Sequence, residues 1–138
     1  MSNRIFCSGL LGIAMLLLAT TAPAHTTSES VVPNFSHTIT NIPGKSLVAV
    51  EVLYPPGGAS PPHSHAKSAF IYAYVVSGAI ESQVDGEPAH VYTAGQSFHE
   101  EPGAIHRVSR NASKIEPAKL LAVFVVDSND ATLTTPEK

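Results

Sequence analysis

Cysteine, positive charge and long apolar runs are all scarce in this sequence. Its single cysteine is Cys7, and Lys and Arg total 8 against 11 Asp and Glu, for a net charge of −3. This mild acidity argues against nucleic acid or an anionic membrane as the partner. The longest apolar run, Leu10–Ala19, is shorter than the roughly 20 residues that a membrane-spanning helix needs.

The N-terminus has the pattern of a secretory signal peptide. Arg4 precedes the apolar run, and Ala22-Pro23-Ala24 matches the small-x-small rule of a cleavage site. We expect residues 1–24 to be removed, leaving His25 as the mature N-terminus of a periplasmic or secreted protein. Because cleavage also removes the sole cysteine, the mature chain would have no disulfide and no thiolate ligand.

After a polar stretch, the chain consists of short apolar runs separated by Gly- and Pro-rich turns. No segment keeps an apolar 3.6-residue period over three turns, so we expect strands and no major helix. This pattern is typical of an antiparallel sandwich or barrel. We assign a loose arm to residues 25–40, a barrel to 41–127 and a flexible tail to 128–138. The predicted strands are Leu47–Tyr54, Phe70–Val76, Ala79–Val84, His90–Tyr92, Ser97–Glu100, Ile105–Ser109 and Leu120–Val126.

Three of the seven histidines have surroundings that favour a metal site. His63 and His65 are two residues apart, so in a strand both imidazoles point to the same side. Pro61-Pro62 keeps the preceding backbone extended. His106 begins a later apolar run and can supply a third imidazole for Zn, Cu, Fe, Ni or Mn. From this spacing alone, a solvated surface pair of histidines remains the alternative.

The residues around these histidines resemble the two motifs of the cupin family. Gly57, five residues and His63-Ser64-His65 follow the first motif, which ends at Gly78. In the second motif, Gly95, Gly103 and His106 are in register.

The second motif departs from the pattern in two places. Glu101 replaces its proline, with Pro102 beside it, and Asn111 comes one position late. The resemblance implies a single antiparallel double-stranded β-helix, a jelly-roll-like barrel. It also implies a homodimer, because small cupins usually pair through edge strands and an open edge is a liability.

The first motif lacks its glutamate, which in the family is normally the fourth metal ligand. Its place falls on Ala69, Phe70 or Ile71, depending on the direction of counting, and none of these can bind a metal. Either the site has three histidines with open positions, or another side chain completes it. Glu100 is the best substitute and the candidate catalytic residue, although a strand end can equally expose it to solvent.

Further candidates are defined by strand alternation. His99 should point to the face opposite Glu100. Apart from alternation, Gln83, Tyr72 and Tyr74 are candidate pocket-lining residues, with a packing role or a position at the rim as the alternative.

The functional hypothesis is an exported metal-dependent enzyme of dioxygenase, lyase or isomerase type. Its partner would be a small molecule, with no nucleic acid and no membrane after signal cleavage. Three neutral imidazoles would leave a divalent ion (Fe, Mn, Zn, Ni or Cu) with its full charge, which favours an anionic ligand. The alternative is a non-catalytic module that holds a small ligand or a metal outside the cytoplasm.

Overall fold

The computed structural model of the chain describes residues 28–138, and the predicted signal peptide and His25 lie outside this range. The described part consists of strands and loops without a helix, and none of it is a candidate for a membrane-spanning helix. The strands are β1 (Ser30–Thr38), β2 (Lys45–Tyr54), β3 (Ala59–Ser60), β4 (His63–His65), β5 (Phe70–Ser77), β6 (Ala79–Val84), β7 (His90–Thr93), β8 (Ser97–Glu100), β9 (Ile105–Asn111), β10 (Ala118–Asp127) and β11 (Thr134–Pro136). All seven predicted strands are confirmed within a few residues.

The strands form two antiparallel sheets that face each other, as expected for the jelly-roll-like barrel. One sheet has the order β1-β2-β10-β5-β8, and the other has the order β11-β4-β9-β6-β7, with β3 also paired to β9. Every paired strand in the two sheets is antiparallel.

The core lies between the sheets and follows the two-residue alternation of the strands. In β10, every second side chain from Ala118 to Val126 is buried, and Ile71, Ala73 and Val75 of β5 are fully buried opposite them. Each fully buried Val, Leu, Ile or Phe side chain contributes about 1.5–3 kcal/mol to folding. We therefore expect the core to form without a metal.

The turn between β5 and β6 requires glycine at the end of the first motif. Gly78 has φ of 72°, a left-handed conformation that residues with a Cβ rarely adopt. A Cβ at this position would lie 2.6 Å from the carbonyl oxygen of Pro117. The close approach lets the turn pack against the start of β10.

Two edge strands lie in the segments assigned to the loose arm and the flexible tail. All of β1 falls in the expected arm, and it pairs with β2 along nearly its whole length. β11 falls in the expected tail and pairs with β4. Both strands are exposed along their whole length, so they carry no pattern of alternating burial. Backbone hydrogen bonds at the sheet edges hold these strands in place. Such bonds require no alternating pattern of side chains, so the sequence gives little sign of them.

Candidate metal centre

β4 places His63 and His65 on the same side of the sheet, as predicted. The Nδ1 atom of His63 lies 2.8 Å from the carbonyl oxygen of Pro61, and that of His65 lies 3.1 Å from the carbonyl oxygen of Leu133. Because a carbonyl only accepts hydrogen bonds, both Nδ1 atoms are donors. In each neutral ring the lone pair therefore lies on Nε2, where it is free to bind a metal.

His106 joins the pair from the neighbouring strand. It lies directly opposite His63 in the ladder between β4 and β9, and its side chain is buried. One ring nitrogen from each of His63, His65 and His106 lies within 4.8 Å of the other two, a spacing at which the three can hold a metal ion. A solvated pair of surface histidines, the alternative left open by the sequence, does not describe this arrangement.

Glu100, at the end of β8, is buried beside two of these imidazoles. Its Oε1 atom lies 3.2 Å from Nδ1 of His106, and its Oε2 atom lies 3.1 Å from Nε2 of His65. Glu100 is only 3% exposed, so the alternative of a solvent-exposed carboxylate at a strand end does not describe it. The strand alternation explains the burial, because His99 points outward and stacks on Phe70.

Burial and two neighbouring histidines act in opposite directions on Glu100. Burial raises the pKa of this carboxyl group, but the adjacent imidazoles of His106 and His65 together outweigh it and lower the pKa to about 2. Glu100 is therefore ionised at neutral pH.

Burial also lowers the pKa of His63. The neighbouring rings of His65 and His106 act in the same direction, and together these effects outweigh the hydrogen bond to Pro61. This shift favours the neutral imidazole that metal binding requires.

Two buried atoms at the centre test whether a metal would fit. Nε2 of His65 and Oε2 of Glu100 face each other, yet the pair is not aligned as a hydrogen bond, and neither atom has another partner. Buried polar atoms without partners are costly, and a cation between them would satisfy both. Imidazole nitrogens with a carboxylate oxygen are ligands that suit zinc and other divalent transition metals. The residues present fit a divalent metal.

A small cavity of about 70 Å³ adjoins the histidines inside the barrel. Its wall is mostly apolar, with side chains such as Val52, Leu120 and Phe124. Besides the candidate ligands, polar groups of Tyr54, Ser60, Ser109 and Thr134 also line it. The hydroxyl of Tyr54 hydrogen-bonds to Ser60 and Ser109 at 2.8 Å each. Burial raises the pKa of Tyr54, so this hydroxyl is neutral.

Three predicted lining residues do not reach this cavity. Tyr72 and Tyr74 lie on the outer face of β5, because Ile71, Ala73 and Val75 take the inward positions. The side-chain amide of Gln83 donates to the carbonyl of Glu87, away from the metal centre. These three positions therefore correspond to the alternative to pocket lining, in which the side chains pack at or near the surface.

Ser82 is a site residue that the sequence reasoning missed. Its hydroxyl lies 2.8 Å from Nε2 of His106, and it is buried. It also lines a second, larger groove of about 540 Å³, with Tyr92 and Phe98 among its walls. The sequence contains a signal for this role. Ser82 follows Ile80 by two residues, so it is a polar residue at an inward position of β6.

Comparison with known families identifies the fold. The sequence profile described as the Cupin domain matches residues 50–124, more than half of the chain. The chain belongs to the cupin family. None of the curated proteins with which this cupin was compared matches it.

Solved structures share the same architecture. TT1209 from Thermus thermophilus is 22% identical with a TM-score of 0.58, over 72% of this chain and 84% of that one. An oxalate oxidase in complex with the substrate analogue glycolate is 23% identical with a TM-score of 0.57, over 78% of this chain and 54% of that one. DMSP lyase DddQ from Ruegeria pomeroyi is 26% identical with a TM-score of 0.54, over 67% of this cupin and 45% of the lyase. This cupin thus spans about half the length of the two enzymes.

Proposed function

We propose that this cupin is an exported metal-dependent enzyme that acts on a small molecule. Its divalent metal would be held by His63, His65, His106 and Glu100. One observation carries the proposal: the buried Oε2 atom of Glu100 and Nε2 of His65 face each other at 3.1 Å, and neither atom has a hydrogen-bond partner in the protein. A bound divalent ion would supply Lewis-acid catalysis and would lower the pKa of bound water.

Glu100 changes the charge expected at the centre. Three neutral imidazoles would leave a divalent ion at +2, and the ionised carboxylate reduces this to +1. The attraction for an anionic substrate is therefore weaker than for a centre of histidines alone, and a neutral or zwitterionic substrate also suits it. We assign to Glu100 the role of ligand and charge partner, because a carboxylate with its pKa near 2 is a weak general base.

Ser82 would support His106 in both the metal-free and the metal-bound protein. In the metal-free arrangement Nδ1 of His106 donates to Glu100, so the Ser82 hydroxyl donates to Nε2. If Nδ1 instead loses its proton and binds the ion, Nε2 carries the proton and the same hydroxyl accepts it. A hydroxyl can play both parts, which a carbonyl or an ammonium group cannot.

The cavity and the structural neighbours support a small substrate. About 70 Å³ beside the histidines accommodates a few non-hydrogen atoms, and the Tyr54 hydroxyl offers one polar contact there. The neighbours include an oxalate oxidase, studied with glycolate, and DMSP lyases. These activities belong to those proteins, and they support dioxygen-dependent or lyase chemistry on a small molecule as the classes to test here.

The test begins with elemental analysis of protein purified from its native compartment, because the identity of the metal restricts the reaction class. Short-chain acids and zwitterions are then assayed in parallel for dioxygen consumption and for product release. We expect about one divalent transition metal per chain and turnover that disappears in His106→Ala. A metal-loaded protein that turns over none of these compounds would favour the non-catalytic binding module. Absence of metal from the native protein would contradict the proposal.

Export is part of the same proposal and is supported by the signal-peptide pattern of residues 1–24. The intact mass of the exported protein should match that of a chain that begins at His25. A full-length species retained in membranes would contradict export and would leave the metal proposal intact.

The homodimer stays a prediction, and the outer face of the five-stranded sheet supports it. Phe35, Phe70, Tyr72 and Val76 are exposed large apolar side chains on that face. A second copy that covered them would remove apolar surface from water. Sedimentation analysis of the metal-loaded protein tests this.

A further inference from the structure

His65 depends on a segment far along the chain for its orientation. Its Nδ1 atom donates to the carbonyl of Leu133 at 3.1 Å, and the hydroxyl of Thr134 lies 3.5 Å from the same nitrogen. His63, in contrast, is held by the carbonyl of Pro61, only two residues away. Of the two histidines on β4, His65 is the one whose ring requires residues near the end of the sequence.

Several contacts fasten this segment to the loop and strand around the metal centre. The Ser68 hydroxyl donates to the Asp130 carboxylate at 2.9 Å, just before the segment begins. The carbonyl of Leu133 also accepts from the backbone N–H of Ala66 at 3.3 Å. At the far end, the N–H of Glu137 donates to the carbonyl of Pro62 at 2.9 Å.

The ladder between β11 and β4 connects these anchors. Its three pairs join Thr134 to His65, Thr135 to Ser64 and Pro136 to His63. Every residue of the pairing strand β4 is therefore either a candidate metal ligand or the residue between the two.

The same segment contributes little to the core. Between residues 131 and 138, Leu133 alone is half-buried, and it packs at the margin of the cluster that contains Ile71 and Phe124. The other residues of the segment are exposed. Its polar contacts are thus concentrated on β4 and on the loops beside it, and the two sheets retain their buried residues without it.

We propose that residues 131–138 are a positioning element of the metal centre. The carbonyl of Leu133 holds His65 in the tautomer with the proton on Nδ1, which turns the Nε2 lone pair toward Glu100. This inference rests on the proposed metal site, and it assigns a function to a segment whose sequence is typical of a tail. Groups that orient a metal-binding histidine in this way typically affect metal affinity 10- to 100-fold.

The test compares Zn²⁺ binding, by calorimetry, in three forms of the exported protein. In the first variant, residues 131–138 are deleted, and its Zn²⁺ dissociation constant should rise about 10- to 100-fold. In the matched control, Leu133→Ala, the backbone carbonyl is kept and only packing is lost. This control should melt at a lower temperature and keep the wild-type affinity for Zn²⁺.

A second measurement needs no metal. Nitrogen-15 NMR of the metal-free protein distinguishes the two imidazole tautomers, and we expect His65 to be protonated on Nδ1 in the wild type and in Leu133→Ala. In the deletion variant, the tautomer with the proton on Nε2 should become populated. If the deletion variant does not fold, the combined substitution Thr134→Gly, Thr135→Gly and Pro136→Gly loosens β11 at constant chain length, with the same outcomes expected.

The outcomes separate this inference from the metal proposal. If the wild type does not bind Zn²⁺, the metal proposal fails. If the wild type binds Zn²⁺ and the deletion variant binds it equally well with an unchanged His65 tautomer, the positioning role of residues 131–138 is overturned. Equal losses of Zn²⁺ affinity in the deletion variant and in Leu133→Ala would show that the loss comes from packing. That result would also overturn the positioning role.

Discussion

Glu100 lies directly opposite Ile71 in the antiparallel ladder between β8 and β5, and both side chains are buried inside the barrel. Counted back from Gly78, Ile71 occupies the position at which the cupin motif carries its glutamate. Side chains that face each other across a ladder have Cβ atoms only about 4.5–5.5 Å apart. A carboxylate therefore reaches the same region of the barrel from the neighbouring strand.

This relationship predicts that the carboxylate can be exchanged between the two strands. Glu100→Ile should weaken Zn²⁺ binding by about tenfold or more, because losing a ligand should cost at least as much as losing a group that orients one. The double substitution Ile71→Glu with Glu100→Ile should recover most of the affinity. Calorimetry measures both, and Glu101→Gln, an exposed neighbour, is the control. Failure of the double variant to bind better than Glu100→Ile would contradict the exchange.

A chelator should lower the melting temperature of the metal-loaded wild type. A ligand at a hundredfold excess over its Kd stabilises the folded state by about 2.7 kcal/mol. For a domain of this size the corresponding change in Tm is about 10 °C. Alanine substitution of His63, His65 or His106 should abolish the response to chelator while the barrel still folds.

The control for the chelator experiment is His90→Ala. His90 is exposed on β7, where its ring packs against Tyr92 and not against the metal centre. This variant should respond to chelator as the wild type does. An undiminished response in the three histidine variants would show that the metal binds elsewhere.

Acid should destabilise the metal-free protein through Glu100. The pKa of this group is about 2 in the folded state and near 4.5 in the unfolded state, so its stabilising effect is fully present above pH 4.5. The effect is lost as the pH falls from 4.5 toward 2, because the unfolded chain then binds the proton more tightly. Urea unfolding of the metal-free protein between pH 6 and 3 should show a steeper loss of stability in the wild type than in Glu100→Gln. Parallel curves for the two proteins would contradict the assignment.

Asn111 should be important for stability and not for metal binding. Its buried side-chain amide donates to the carbonyls of Pro55 and Glu116, and its oxygen accepts from the N–H of Ser113. Asn111→Ala would leave these groups without partners, which costs about 1–3 kcal/mol for a buried group. Denaturant unfolding should show this loss, and the Zn²⁺ affinity of the folded variant should be unchanged. A matched, exposed change on the neighbouring residue, Ala112→Ser, should have little effect on either quantity.

The sequence predicts most of this fold because the core strands have short apolar runs that end at Gly or Pro. It also predicts that His63, His65 and His106 form a site. His63 and His65 are two residues apart, so in a strand their side chains point to the same side. The side chains of Tyr72 and Tyr74 show where such reasoning fails. Their hydroxyl groups would suit a pocket lining, but the β5 side chains that point into the core are those of Ile71, Ala73 and Val75.

Interactions between distant segments explain the rest of what the sequence could not predict. The burial of Glu100 depends on the register between β5 and β8, and the support of His65 depends on the return of the chain at Leu133. Neither relationship has a local signal in the sequence. A backbone carbonyl that holds a histidine is available from every residue type, so the amino acid at position 133 does not reveal it.

The candidate ligands come from both sheets: Glu100 from β8, and the histidines from β4 and β9. β8 is a four-residue strand at the edge of its sheet, paired in the ladder with β5 alone. An ion bound by all four side chains would therefore join this edge strand to the opposite sheet by direct bonds. Local opening of β8 would require the release of a ligand, so the amide hydrogens of β8 would exchange with solvent more slowly when the metal is bound than when it is absent.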